Sequence, residues 1–136
     1  SPYDCMVPIS GGKDSVYQLH VMVNVYKLRV LAVTASHNWY SKIGWYNLMN
    51  AIEVFDVDHM MYTPSRSTVN TAAKNSLKAI GDVCWHCHSG IGAYSLHVAT
   101  KFNIPLLAGF DKKFINLIIF KISLINLILF ITIVFI

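Results

Sequence analysis

Six consecutive residues, Ser10-Gly11-Gly12-Lys13-Asp14-Ser15, combine the features an anion site needs. Glycines let the main chain approach a ligand closely and take dihedral angles that a Cβ forbids. The two serine hydroxyls can donate hydrogen bonds, Lys13 adds a positive charge and Asp14 a carboxylate. An apolar segment, residues 5–9, leads in, and Val16, Leu19, Val23 and Tyr26 follow at helical spacing. A strand, a small-residue turn and a helix start, in that order, aim the first helical N–H groups and the positive end of the helix dipole at a phosphate. The string is not the Walker A loop, because Asp14 rather than Ser or Thr follows Lys13, and it is not G-x-G-x-x-G. The plain alternative is a serine-capped turn with no ligand, but such a turn has no need of two serines, two glycines and an acid together.

A second constellation is Cys84-Trp85-His86-Cys87-His88. A C-x-x-C pair can be half of a metal site, a redox or sulfur-handling pair, or two core cysteines. Two thiolates alone do not complete a tetrahedral zinc site; His86 and His88 lie near enough in sequence to contribute. A redox role suits a pair at a helix N-terminus. Cys5 is expected in the core of the first strand. His20, His59 and His97 read as surface or packing residues, and Trp39, Trp45 and Trp85 as wall and core.

These residues must be positioned by alternating elements. Strands are expected at 3–9, 28–35, 57–62 and 104–108. Pro8 is tolerable only near the end of the first. Helices are expected from 14 to about 26, 45–55, from the Thr63-Pro64-Ser65 start signal to Gly81, and about 91–102. The inward residues are Trp45, Leu48, Met49, Ile52 and Phe55 on the second helix and Val69, Ala72, Ala73, Leu77 and Ile80 on the third. On the fourth they are Tyr94, Val98 and Phe102. Strands alternating with helices of this length imply an α/β fold with a parallel, Rossmann-like sheet and flanking helices. Ligands in such sheets bind beyond the carboxyl ends of the strands, where Ser10, His37 and Thr63 all fall.

Of the 136 residues 54% are hydrophobic, a high share that comes from one end: 17 of the last 26 are Ile, Leu or Phe. The chain therefore reads as a domain over 1–110 and an apolar tail over 111–136. The run 114–136 is long enough to span a bilayer, but Asn116, Lys121 and Asn126 inside it make a poor span. Its Ile, Phe, Lys, Asn and Leu are what AT-rich DNA encodes out of frame, which is the preferred reading, and the tail is set aside from the functional argument. Residues 1–110 hold eight Lys and Arg against six Asp and Glu, too even a balance for a nucleic-acid surface. Three cysteines do not make a secreted disulfide scaffold, and the sequence starts at Ser1 with neither a signal-peptide pattern nor an initiator Met; a cytoplasmic protein, truncated at its N-terminus, is expected.

The Ser10–Ser15 string resembles the PP-loop of the N-type ATP pyrophosphatases. The likeness extends further. Tyr3-Asp4-Cys5, Tyr17-Gln18-Leu19-His20, Leu31-Ala32-Val33-Thr34, His37-Asn38-Trp39, Gly81-Asp82 with the 84–88 cluster, and residues 101–107 together resemble the N-acetyl sugar amidotransferases of bacterial surface-polysaccharide synthesis. The resemblance covers about residues 3–107. It implies the adenine nucleotide alpha hydrolase-like fold. The implied reaction is AMP-forming replacement of an acetamido oxygen by ammonia on an N-acetylated, nucleotide-linked sugar in lipopolysaccharide synthesis. ATP and Mg²⁺ would be used, with Zn²⁺ at Cys84 and Cys87. A glutaminase and an ammonia-channel barrel resembling the histidine-biosynthesis synthase pair would be partners.

By the same resemblance, Ser10, Gly11, Gly12, Lys13, Asp14 and Ser15 hold the phosphates, Val33 and Thr34 flank the adenine, and Asp14, Lys13 and His37 serve catalysis, His37 as acid or base. The family is longer at both ends and carries further cysteines that this sequence lacks, so a nucleotide-binding remnant of the enzyme is expected. The competing reading is a PP-loop tRNA-thiolating enzyme using the C-x-x-C for sulfur or a metal cluster; a membrane-anchored, non-enzymatic fragment is a third.

Overall fold

The computed structural model describes residues 1–108 and the backbone of 120–121. The chain folds as β1 (Cys5–Pro8), α1 (Lys13–His20), β2 (Val30–Ala35), α2 (Lys42–Phe55), β3 (Asp58–Tyr62), α3 (Arg66–Ile80), α4 (Trp85–Lys101), β4 (Leu106–Leu107) and β5 (Phe120–Lys121). Four parallel strands take the order β3-β2-β1-β4, and β5 adds an antiparallel pairing outside β4. The fold is α/β, as the alternation predicts.

Strand alternation divides the core in two. Cys5, Val7 and Ile9 with Val30 and Ala32 face one side, where Leu19, Met22, Leu48 and Ala51 of the first two helical segments close over them. Met6, Leu31 and Val33 face the other, against Val98, Ala99 and Ile104. Both faces are covered, so β1 and β2 read as unbroken apolar runs. Pro8 is accommodated because β4 pairs only with Cys5 and Met6; the ladder toward β4 has ended where the missing N–H would fall.

Each expected strand is present but shorter at its ends, by one to three residues. The first helix reaches Tyr26 as expected, but its last stretch, Val21–Val25, is π-helical, closed by Tyr26 N–H donating to the Val21 carbonyl at 2.9 Å. Tyr26 itself is exposed, and Met22 fills the inward position. α2 starts three residues before the expected Trp45, because the Ser41 hydroxyl caps it by accepting from Gly44 N–H at 3.0 Å. Trp45 lies exposed near that start. α4 starts six residues before the expected Ile91 and passes through Gly90 and Gly92. On α3, Val69 and Ala73 are buried, but Leu77 and Ile80 are more than half exposed. The end of the expected 1–110 domain and the apolar tail lie outside the described residues, apart from 120–121. Among the described residues no helix is long and apolar enough to cross a membrane.

The starts of β1 and β2 are tied at the surface by Asp4 and Arg29. The guanidinium donates to both carboxylate oxygens, at 3.0 and 2.6 Å, and Arg29 N–H adds a third bond at 3.0 Å. Arg29 thereby holds the Asp4 carboxyl down at about 2. A depressed carboxylate pKa stabilises the fold above the unfolded value and loses that contribution as pH falls through the folded one. Urea titrations from about pH 5 down to about pH 2 should therefore show a stability loss in the wild type, with the limb below about pH 4 shallower in Arg29→Met. Equal acid limbs in the two proteins would remove this pair from the account.

Candidate functional site

β1 ends at Pro8, and the chain must turn at once to start α1. Gly11 makes that turn with φ of 80°, in the left-handed region. A Cβ there would lie 2.8 Å from the backbone nitrogen of Leu48 and 3.0 Å from its Cα, so α2 packs directly on the turn. Gly12 differs. Its φ of −79° suits any residue, and a Cβ would meet only Ser10 Oγ, at 3.5 Å, which is ordinary contact. Nothing in the protein's own packing calls for glycine at 12.

Serines hold the loop together. Ser15 Oγ donates to the Gly12 carbonyl at 2.9 Å and accepts from Ser10 N–H at 3.3 Å. Gly12 is the N-cap of α1 and no side chain caps that helix, whereas Ser41 caps α2 and Ser65 caps α3. The helix end at the loop thus keeps its amide N–H groups for a partner from outside the helix.

The loop forms one wall of a cavity of about 370 Å³ at the carboxyl ends of β1 and β2. That volume is within the usual range for a small-molecule site. Of the predicted residues, Ser10, Gly12, Lys13, Asp14, Ser15, Val33, Thr34 and His37 all line it. Gly11 does not; it faces Leu48. Cys84 and Cys87 do not line it either. Among the described residues no three His, Cys, Asp or Glu side chains gather where a metal could sit. His86 and His88 therefore do not complete the expected zinc half-site, and this chain's described residues do not by themselves fit zinc. Thr63 is not among the cavity-lining residues.

Thr34 is buried and doubly bonded: its hydroxyl donates to the Ile9 carbonyl at 2.7 Å and so accepts from His59 Nε2–H at 2.8 Å. His59 is thus neither surface nor mere packing; it joins β3 to the cavity floor. Burial holds its pKa below the ordinary value. His37 Nδ1 accepts from Trp39 N–H at 3.0 Å, so the neutral ring carries its proton on Nε2 and presents a donor. Asn38 takes a left-handed φ of 63°, which Asn tolerates better than most residues, and its amide donates to the Pro64 carbonyl, joining the ends of β2 and β3.

Sequence reasoning missed Pro8, Ile9, Gln18, Ala35, Tyr40 and Ile91 in the lining. Gln18 stands one turn after Asp14, a signal that was present. Tyr40 stacks on His37 with ring centroids 4.4 Å apart. Burial, and secondarily the nearness of Cys87, raises the Tyr40 pKa. Nothing local marked Ile91.

No protein-family model matches the sequence, and comparison with curated proteins finds no match. Among solved structures the chain is similar to an NH3-dependent NAD synthetase from Campylobacter jejuni subsp. jejuni, solved in complex with the nitrate ion, with a TM-score of 0.64 at 13% identity. The match covers 83% of this chain and 49% of that one, so the chain spans about half the length of the structure it matches. The similarity establishes the fold: a four-stranded parallel sheet with flanking helices, adenine nucleotide alpha hydrolase-like.

Two measurements check this geometry. Gly11→Ala should lose about 1–3 kcal/mol from backbone strain alone, and more from the Leu48 contact; unchanged denaturant midpoints would refute the packing. A depressed histidine pKa stabilises the fold above the unfolded value and loses that contribution as pH falls. The wild type should therefore lose stability below about pH 6.5, and His59→Gln should lack that slope.

Proposed function

We propose that the chain is the nucleotide-binding part of an ATP-dependent amidotransferase that converts the acetamido group of an N-acetylated, nucleotide-linked sugar to an acetamidino group. The observation that carries the nucleotide half is the uncapped start of α1 at Gly12, a glycine whose backbone angles and neighbours would accept a side chain. A residue the fold does not need as glycine is explained by a ligand that approaches the main chain closely. The shared fold with an enzyme named for its use of NH3 supports ammonia as the nitrogen source. The sugar rests on the sequence resemblance.

An amide oxygen is a poor leaving group. Attack of that oxygen on the α-phosphorus of ATP expels pyrophosphate and leaves an imidate carrying AMP. Ammonia then adds to the imidate carbon, loses a proton and expels AMP. The α1 N–H groups and the Ser10 hydroxyl bind the phosphates, and Lys13 offsets their charge. Mg²⁺ is typically held by one or two carboxylates plus phosphate oxygens, a role Asp14 fits; when bound, it neutralises charge on the leaving pyrophosphate. Val33 and Thr34 flank the adenine. His37, with its proton on Nε2, donates to the oxygen that departs with AMP. Glutaminase and channel subunits would supply the ammonia, in the cytoplasm.

Gly12→Ser separates ligand from fold. Serine is at least as good an N-cap as glycine, so thermal stability should hold or rise by a few tenths of a kcal/mol. ATP affinity by calorimetry should fall about tenfold or more, a loss of about 1.4 kcal/mol, as the new hydroxyl occupies the helix N–H groups. Asp14→Ala should weaken binding in the presence of Mg²⁺. Wild-type protein with no measurable ATP binding, or both variants binding like wild type, would overturn the assignment. The sugar half is tested by AMP release from ATP and ammonia on addition of N-acetylated sugar nucleotides.

A further inference from the structure

Cys84 and Cys87 have no part in the chemistry above, yet Cys87 lies near Tyr40, which lines the cavity. Cys84 is the N-cap of α4 and Cys87 its third residue. The N–H groups of Cys87 and His88 both donate to the Cys84 carbonyl, at 3.0 and 3.1 Å, so the turn between the two sulfurs is closed. Cys84 is exposed and Cys87 partly so, while Cys5 is buried in the core. Between them His86 turns its ring inward. Both ring nitrogens are shielded without a hydrogen-bond partner, and the ring meets Trp39 edge-on at 5.7 Å. Trp39 precedes Tyr40, which lines the cavity and feels Cys87 electrostatically. One helical turn after Cys87, Ile91 lines the cavity too. α4 therefore reaches the cavity at Ile91, and its first turn meets Trp39, the chain neighbour of the lining residue Tyr40, through His86.

We propose that Cys84 and Cys87 form a thiol–disulfide exchange site that takes a low-molecular-weight disulfide as oxidant, and that closing their bond reshapes the adjoining wall; the effect on ATP rests on the function proposed above. Cys84, the exposed sulfur, loses its proton and attacks the small disulfide, breaking its S–S bond, forming a mixed disulfide and releasing one thiolate. Cys87 loses its proton and attacks the Cys84 sulfur, releasing the second. Two protein thiols are oxidised and one small disulfide is reduced to two thiols. Helical residues three apart have Cβ atoms about 5–6 Å apart, whereas a disulfide holds them at about 3.5–4.5 Å. Closure must tighten the turn that carries His86, and with it the His86–Trp39 contact and the approach to Ile91.

The test treats the reduced full-length chain with oxidised glutathione and follows intact mass, tryptophan emission and ATP affinity. Wild type should lose two hydrogens and retain no adduct, and Cys87→Ser should keep one glutathione on Cys84. Emission should shift on oxidation in Trp85→Phe, which keeps Trp39 and removes the tryptophan between the two cysteines, but not when Trp39→Phe is added to it. The ATP dissociation constant should change about tenfold and recover with dithiothreitol. Three results would each overturn the proposal. One is an adduct that persists in wild type without closure. Another is closure that leaves emission and affinity unchanged. The third is a native mass showing zinc that Cys84→Ser loses. If the reduced protein binds no ATP, the function proposed above falls, and mass with Trp39 emission still decides the exchange site.

Discussion

The contact on which the site depends is the one between Gly11 and the backbone of Leu48. It lets the chain leave the central strand, reverse in a left-handed turn and start α1 with its N-terminus at the carboxyl end of the sheet. Leu48 is wholly buried, so α2 is anchored in the core at the residue that touches the turn. The loop at 10–15 is thus braced from behind by a neighbouring helix. A braced loop keeps its N–H groups in place before a ligand arrives, which lowers the ordering cost of binding.

A second layer of order comes from bonds between strand ends. Thr34 links β2 to the end of β1, His59 links β3 to Thr34, and Asn38 reaches the Pro64 carbonyl. Ser36 N–H donates to the Tyr62 carbonyl at 2.8 Å and continues the β2–β3 pairing past the regular ladder. These bonds satisfy polar groups where the ladder stops and the cavity begins, a place where unpaired groups would be costly. The aromatic side chains that follow β2 then stack outward from this frame. His37 packs on Tyr40, Tyr40 on Trp45 at 5.8 Å, and Trp39 on His86.

Much of this was legible in the residues. The alternation of apolar runs with helical periodicity is local, and it led to the correct fold class and to every described strand of the parallel sheet. The loop chemistry is contiguous in the chain, so Ser10 to Ser15 could be recognised together. His37 follows from the rule that ligands gather at strand ends, which also pointed to Thr63, a residue that does not line the cavity, whereas Val33 and Thr34 came from the resemblance. Other features were not legible. Periodicity tells which residues share a helix face, but not whether that face is covered, which is why Leu77 and Ile80 read as core and are exposed. The fourth helix was expected from about Ile91, but α4 starts at Trp85 and runs through Gly90, as packing through Ser95, Val98 and Ala99 outweighs the weak helix propensity of glycine.

Sequence alone determined the order of elements, the two-sided burial of the central strands and the composition of the loop at 10–15, because each is written in neighbouring residues. Only the tertiary structure decided that Gly11 is required by α2 while Gly12 is not. It also decided that His59 bonds the buried Thr34 hydroxyl, and that Tyr40 and Ile91 line the cavity. Those facts depend on distances between residues far apart in the chain, which periodicity and propensity do not encode.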